Sequence, residues 1–291
     1  MNLDYTFNKL HELCKVISNS QYVPLTIEEY LSSEKKPERF IIIRHDIDLE
    51  PAYSLKLAKI EKEFGITSTY YFRATEDVFQ PDIIKSIADL GHEIGYHYEV
   101  LDKAKGDYDQ AIKIFKEELN KFRQVYDVKT ICPHGSPIIG TLSPYSFLGI
   151  CTIIKTILQG GDVFTSWKNQ DLWGKYDFKL FDIIGDAYLS IDFGRIMYFS
   201  DTGRNWNSTR YKIKDVVDNS VSQISEVKIN CTDDIIELIK QEEIKNIYIL
   251  IHANHWKDNF GSWLRWLILL YIRNIGKLGL KWYWKKRLNK S

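Results

Sequence analysis

The sequence contains few cysteines and no pair of them in a CxxC motif. The four, spread over 291 residues, are Cys14, Cys132, Cys151 and Cys231. Their isolation excludes a zinc knuckle and a dithiol redox motif, and they are too few for a disulfide framework in a chain of this length. We therefore expect reduced thiols, as in a cytosolic protein.

An excess of charge is also missing, since 39 Lys and Arg residues balance 39 Asp and Glu residues. Balanced charge gives no overall preference for nucleic acid, and no nucleic-acid partner is expected. The first twenty residues lack a basic segment followed by an apolar one, so we predict no secretion signal. Internal repeats and low-complexity tracts are absent as well. The expectation is a globular, cytoplasmic protein.

What the sequence does contain is an alternation of short β-branched runs and amphipathic stretches. The run Phe40–Ile43 is typical of a buried strand, and residues 51–64 have helical spacing, with Pro51 in the first turn and Gly65 as a stop. Further predicted strands are Thr67–Phe72, Glu93–His97, Val128–Cys132, Arg195–Ser200 and Asn246–His252, and further helices are Pro81–Leu90, 107–126 and Thr232–Gln241. This alternation predicts an α/β fold with a parallel sheet.

Polar residues recur at the carboxyl ends of the predicted strands. They are Asp46, Asp48, Arg73, His97, Glu99, His134, Asp201 and His252. In parallel α/β folds these ends converge on one face, where ligands bind. Asp46 and Asp48 would point the same way on a continuing strand, and two such close carboxylates need a cation or a proton between them. The alternative is that one of them caps the helix that follows.

His97 ends the segment GHEIGYH. A neutral imidazole at the end of a buried strand suits zinc and neighbouring divalent metals. A lone histidine there is more often a satisfied core or loop residue, but the acidic pair upstream favours a metal ligand. His92, at the start of the same strand, is expected to be structural.

Four segments, RHDID, GHEIGYH, CPHG at 132–135 and LIH at 250–252, occur in this order. Together they resemble the motifs of the polysaccharide deacetylase superfamily, and the resemblance covers roughly residues 40–255. It implies an irregular (β/α) barrel of about seven parallel strands and metal-dependent hydrolysis of the N-acyl group of an amino sugar. By position it implies that Asp46 is the base, Asp48 and His97 are metal ligands, and His252 is the general acid.

The sequence departs from the family pattern at Leu101, where a second histidine ligand is usual. A catalytic metal site normally has three protein ligands and an open position. His134 is our preferred third ligand and Glu99 the alternative, and a weak or absent metal is the remaining possibility. The expected cofactor is a divalent metal, zinc or another transition metal.

Substrate contacts are expected near the end of the strand Arg195–Ser200. The segment after it joins polar groups to an aromatic ring, a mixture found in sugar sites, and it contains Asp201, Arg204 and Trp206. Arg204 and Arg73 would suit a phosphate or uronate group. A polar turn explains the segment equally well. His255 would orient the acid or contact substrate, unless it is a solvated loop residue.

Three parts are predicted along the chain: a helical extension (1–39), the catalytic barrel (40–260) and a C-terminal tail (261–291). The tail has eight Lys and Arg residues, six aromatic residues and no Asp or Glu. Its apolar stretches are too short to span a bilayer, but a basic, aromatic, amphipathic segment fits an anionic membrane surface. A helix packed on the barrel is the alternative, and nucleic-acid binding is a weaker one.

The leading hypothesis is a cytoplasmic N-deacetylase on the inner face of the membrane. Its substrate would be a nucleotide- or lipid-linked amino sugar in surface polysaccharide biosynthesis. The first alternative is a sugar-binding barrel without catalysis, which the residue Leu101 motivates. The second is a metal-dependent hydrolase of another small amide.

Overall fold

The computed structural model describes residues 3–135, 168–204, 206, 229–271 and 274–275. Its centre is a parallel sheet with the strand order β6-β5-β4-β3-β2-β8-β7, and β1 pairs with β2 outside this path. The strands are β1 (Val23–Leu25), β2 (Phe40–Ile47), β3 (Thr69–Phe72), β4 (Glu93–Tyr98), β5 (Thr130–Pro133), β6 (Gly185–Asp186), β7 (Met197–Ser200) and β8 (Asn246–His252). Seven of them form a curled half-barrel, which confirms the predicted irregular α/β barrel.

The helices surround this sheet. They are α1 (Phe7–Ser18), α2 (Ile27–Ser32), α3 (Pro51–Glu63), α4 (Pro81–Asp89), α5 (Val100–Lys103), α6 (Tyr108–Arg123) and α7 (Thr232–Gln241). Short 3₁₀ helices cover Asn169–Gly174, Phe178–Phe181 and Ala253–His255, and residues 260–271 form a C-terminal helix. Within the described ranges, none of the helices has the length and apolar character needed to cross a membrane.

Two strands were missed from the sequence, and both are short. The predicted helical extension contains α1 and α2, but it also contains β1, which pairs with residues Phe40–Ile42 of β2. The two-residue strand β6 pairs with β5 and lies between residues 140 and 190, where the sequence is aromatic and loop-rich and predicts no regular element. Such short strands carry too few residues to show a period of two. Residues 136–167 and the tail beyond 275 lie outside the described residues.

The two faces of β2 have different partners. Ile41, Ile43 and Ile47 pack in the cluster that includes the helices, whereas Phe40 and Ile42 pack in a second cluster inside the curl. Both faces are buried, as is typical of parallel strands covered by helices. This is why the run FIII is continuously apolar.

The same alternation of side chains places the polar residues that follow on opposite faces of the sheet. Successive side chains of a strand point to opposite faces, so Arg44 and Asp46 continue the inner series and His45 the outer one. The Nε2 atom of His45 lies 2.6 Å from Oε1 of the buried Glu61 on α3, on the helix side. His92 is also structural, since its Nε2 lies 3.0 Å from the carbonyl oxygen of Ala58.

A glycine lets an aromatic ring fill the inside of the curl. A Cβ atom added at Gly95 would lie 2.1 Å from Cε1 of Tyr71 on the neighbouring strand. Tyr71 is completely buried, and its hydroxyl group lies 2.8 Å from Oγ1 of Thr130. The ring therefore has no room to move aside.

We expect Gly95→Ala to lower the free energy of unfolding by about 1–3 kcal/mol, the usual cost of overpacking a core. Urea unfolding of the full chain measures it. Gly174→Ala is the matched control, because no atom lies within 4 Å of the added Cβ. Equal stability of the two variants would contradict the packing described here.

Candidate functional site

Polar side chains converge at the carboxyl ends of the central strands. Asp46 on β2 and His252 on β8 are direct partners in the strand register, and both belong to the inner series. His97 near the end of β4 pairs with Cys132 on β5. His134 follows β5, and its backbone N–H donates to the carbonyl oxygen of Tyr98 at 2.8 Å.

Asp48, His97 and His134 form a compact group of possible metal ligands. The Oδ1 atom of Asp48 lies 3.5 Å from Nε2 of His97 and 3.4 Å from Nε2 of His134. One ligand atom of each residue lies within 4.8 Å of the others. Asp48 is buried, and its Oδ1 atom accepts no hydrogen bond from the part of the chain that the structure describes.

The other ring nitrogen of each histidine faces an oxygen atom. Nδ1 of His97 lies 3.0 Å from the carbonyl oxygen of Cys132, which can only accept, so Nδ1 carries the proton. Nδ1 of His134 lies 3.4 Å from Oε2 of Glu99, which Arg73 contacts at 2.7 Å. Metal-binding histidines commonly have such a carbonyl or carboxylate behind them, because it orients the ring and raises its basicity.

These contacts fit a divalent metal ion. With Nδ1 of His97 protonated, its Nε2 presents a lone pair toward two carboxylates, since Asp46 Oδ2 also lies at 3.5 Å. Burial raises the pKa of Asp48, but His134 and His97 outweigh it and hold that pKa well below its usual range. A buried carboxylate between two imidazole nitrogens needs a proton or a cation beside it, and the neutral rings would offer their lone pairs to a cation. Two nitrogen donors and one oxygen donor suit zinc or a related metal.

Two other groups could hold an ion by distance alone, but their atoms are already engaged. In Asp46, His97 and Cys132, the carboxylate is bound by Arg44, and burial raises the pKa of the Cys132 thiol, which keeps it protonated. In the other group, Asp201 accepts hydrogen bonds while His252 and His255 face it. Asp48, His97 and His134 are therefore the best metal site among the described residues.

Asp46 is held by a buried arginine that the sequence analysis missed. Nε and Nη2 of Arg44 lie 2.7 and 2.5 Å from the two carboxylate oxygens of Asp46. The guanidinium group also lies 4.4 Å from the ring centre of Tyr188. Burial raises the pKa of Asp46, but Arg44 and His97 outweigh it, so the carboxylate remains ionised. These two parallel hydrogen bonds from Arg44 fix the orientation of the Asp46 carboxylate.

His252 is paired with Asp201, which directly follows the neighbouring strand β7. Its Nδ1 lies 2.6 Å from Oδ1 of Asp201, and its backbone N–H donates to the same carboxylate at 3.1 Å. The Nε1–H of Trp256 donates to Oδ2 of Asp201 at 3.2 Å. Burial lowers the pKa of His252, but Asp201 outweighs it, and the pKa is raised to about 9. His252 is therefore protonated at neutral pH.

Three solved structures that are similar to this chain are forms of one protein. The similar structures include a CE4 family pseudoenzyme from Bacillus anthracis and two mutants of that protein, one of them with restored enzymatic activity. Each has a TM-score of 0.36 and 10–11% identity, and the match covers 84% of this chain and 66–68% of theirs. No protein-family profile and no curated protein matches the chain.

The CE4 family comprises the polysaccharide deacetylases. Independently of those structures, the parallel half-barrel of this chain and its motif residues at one edge agree with that fold. The chain therefore has the kind of barrel that the predicted resemblance implies.

The departure from the deacetylase pattern at Leu101 has a local explanation. β4 ends at Tyr98, and Leu101 lies on the short helix α5, where its side chain is completely buried in the core. Its backbone N–H donates to Oδ1 of Asn169 at 3.0 Å. This position therefore contributes no ligand, and His134 approaches from the adjacent strand instead. Glu99 lies behind His134.

The structure does not support two of the predicted substrate contacts. Trp206 is 1% exposed, its Nε1–H donates to Oγ1 of Thr232 at 3.1 Å, and its ring stacks on Tyr5. It has no free face for a sugar ring. The guanidinium group of Arg204 lies 4.8 Å from the ring centre of Tyr5 and 5.1 Å from that of Trp263. The Arg204 side chain therefore packs between Tyr5, near the N-terminus, and Trp263 on the C-terminal helix.

The other predicted contacts lie at the candidate site. Arg73 donates to the backbone oxygen of Asp48 at 3.2 Å in addition to its contact with Glu99. Nδ1 of the buried His255 lies 3.2 Å from Oδ2 of Asp201. Arg73 and His255 therefore position the groups around the site, and their contact with substrate stays a prediction.

We expect His134→Ala to weaken Zn²⁺ binding by more than about 100-fold, because even the loss of a residue behind a ligand typically costs 10–100-fold. Glu99→Gln changes a residue behind a ligand and should weaken Zn²⁺ binding by about 10–100-fold. Isothermal titration of the full chain with Zn²⁺ measures both. His11→Ala, which removes an exposed histidine on α1, is the control and should bind as the wild type does. Unchanged affinity in His134→Ala would exclude this metal site.

Proposed function

We propose that this chain is a metal-dependent N-deacetylase that acts on an N-acetylated amino sugar. The observation that carries the proposal is the pairing of Asp46 and His252 in register on adjacent strands. Both groups lie beside the Asp48, His97 and His134 group, in opposite protonation states. An anionic carboxylate and a protonated imidazole at one edge are a base and an acid for one hydrolysis.

Asp46 and His252 each carry out one half of the reaction. A divalent ion held by Asp48, His97 and His134 would polarise the acetyl carbonyl and lower the pKa of a water molecule. Asp46 accepts a proton from the attacking water, and the water oxygen forms a bond to the carbonyl carbon. Arg44 keeps the Asp46 carboxylate in its orientation during this transfer.

His252 completes the reaction as the general acid. It donates its Nε2 proton to the leaving nitrogen as the carbon–nitrogen bond breaks, giving acetate and the free amine. Asp201 binds Nδ1 and so holds the proton-donating nitrogen on the other side of the ring. The same positive imidazole stabilises negative charge that develops on the carbonyl oxygen.

The proposed substrate is a precursor linked to a nucleotide or to a lipid phosphate, in surface polysaccharide biosynthesis. The support is chemical: the C-terminal segment is rich in Lys and Arg, which attract phosphate groups and anionic lipids. Sugar binding without hydrolysis is the second candidate function. Leu101 favours it, because this position carries no ligand where the family pattern has its second histidine.

The first test is release of amine from a nucleotide-linked N-acetylhexosamine by the Zn²⁺-loaded chain. His252→Gln and Asp46→Asn should each lower kcat by about 10²–10⁴, the usual share of a general acid or base. Zn²⁺ affinity should stay within about tenfold of the wild type, since neither residue is a ligand. Sugar binding with no turnover by the wild type would favour the second candidate instead.

The pH dependence gives a separate test of the acid. The pKa of His252 is raised from 6.5 to about 9, so the proton is present at neutral pH and is lost as pH rises through about 9. In Asp201→Asn the pKa should fall toward about 6.5, the ordinary value of a histidine. The alkaline limb of kcat and the NMR titration of the His252 ring should both move to lower pH. An unmoved ring titration in a folded variant would contradict the pairing.

A further inference from the structure

One side of the C-terminal helix (260–271) packs on the barrel. The Nε1–H of Trp263 donates to the carbonyl oxygen of Asp4 at 2.7 Å, and Trp266 and Leu270 are buried. Beyond the helix, Nδ2 of Asn274 donates to the carbonyl oxygen of Gly203 at 3.1 Å. These contacts, spaced three or four residues apart, fix the orientation of the helix.

A neighbouring side of the same helix is apolar and exposed. Its residues recur at the spacing of one helical face, and their exposed fractions are Phe260 60%, Leu264 39%, Leu267 37%, Ile268 52%, Tyr271 66% and Ile275 54%. We call this set the apolar ridge. A contiguous row of large apolar side chains on a surface helix marks an interaction surface.

The sequence from Phe260 onward carries charged residues of one sign. From 260 to the end of the sequence there are eight Lys and Arg residues and no Asp or Glu. Because the whole chain is neutral, the rest of it carries an excess of eight acidic residues. The chain thus divides into an acidic body and a basic segment that contains the apolar ridge.

We propose that the apolar ridge and the basic segment bind the surface of an anionic lipid bilayer, with the helix lying in the interface. Apolar side chains would enter the boundary between headgroups and acyl chains, and Lys and Arg would meet the headgroup phosphates. Each basic residue near such a surface contributes about a five-fold factor in binding. A second copy of the chain is a poorer partner, because two basic segments would repel each other.

This surface is connected to the candidate site. Gly203 and Arg204, which contact the C-terminal helix and its continuation, follow Asp201 in the chain. The backbone N–H of Arg204 donates to the carbonyl oxygen of Asp201 at 2.7 Å. Lipid binding would therefore hold the His252 side of the sheet near the membrane, where, if the proposed function holds, a lipid-linked sugar would be presented.

Vesicle co-sedimentation of the full chain tests the proposal without any assay of activity. Mixed phosphatidylglycerol and phosphatidylcholine vesicles should retain the protein, and vesicles of phosphatidylcholine alone should retain much less. Ile268→Asp should weaken binding to the anionic vesicles by at least about tenfold, since it replaces a ridge side chain with a negative charge. Leu180→Asp, at a position 78% exposed outside the ridge, is the matched control and should bind as the wild type does.

Charge is tested separately. Lys285→Ala with Lys286→Ala should weaken binding by about 25-fold, whereas the exposed pair Lys240→Ala with Lys245→Ala should have little effect. Equal binding to neutral and anionic vesicles would overturn the proposal. So would a stable dimer that Ile268→Asp dissociates, in a protein that does not sediment with vesicles. None of these results depends on whether the chain deacetylates sugars.

Discussion

A buried negative charge must be neutralised, and this requirement organises the candidate site. Asp48 is buried, and one of its oxygens accepts no hydrogen bond from the described residues but lies between the Nε2 atoms of His97 and His134. Isolated carboxylates are not stable in such surroundings without a positive partner. The contacts behind the two imidazoles, a backbone carbonyl for one and Glu99 for the other, are those that turn ring nitrogens toward a cation. The candidate metal site therefore rests on this electrostatic demand more than on the identity of any one ligand.

Two carboxylates on one stretch of chain are neutralised differently, and their chemical roles separate for that reason. Asp46 is held by the two-pronged contact with Arg44, which leaves it anionic and fixed in place, while Asp48 faces the histidines. His252 is the register partner of Asp46 on β8, and Asp201 stabilises its protonated, positively charged form. Neighbouring groups whose environments push their pKa values apart are the pattern expected of a base and an acid in one reaction.

Much of the sheet could be predicted, because the succession of strands and helices along the chain and the alternation of side chains are local properties of the sequence. The bounds of β8 match the prediction. His134 was preferred to Glu99 because it lies on the loop where the family that the motifs resemble has its pocket-shaping residues, and it lies in one group with Asp48 and His97. Trp206 could not be placed in this way. Its burial depends on Tyr5 and Thr232, which lie far away in the sequence and reach it only through packing of the helices. A sequence pattern reports which residues could bind a sugar, but burial decides which of them are exposed to one.

The loop after β7 links the site to the end of the chain. Asp201 holds His252 and also accepts a hydrogen bond from the backbone of Arg204 through its carbonyl oxygen. The Arg204 side chain in turn lies over Trp263 on the C-terminal helix. Because the carboxylate of Asp201 sets both the orientation and the charge of the imidazole, a displacement of the helix would reach His252 through one short loop. Any partner that holds the helix in place would therefore also hold the geometry of the His252–Asp201 pair.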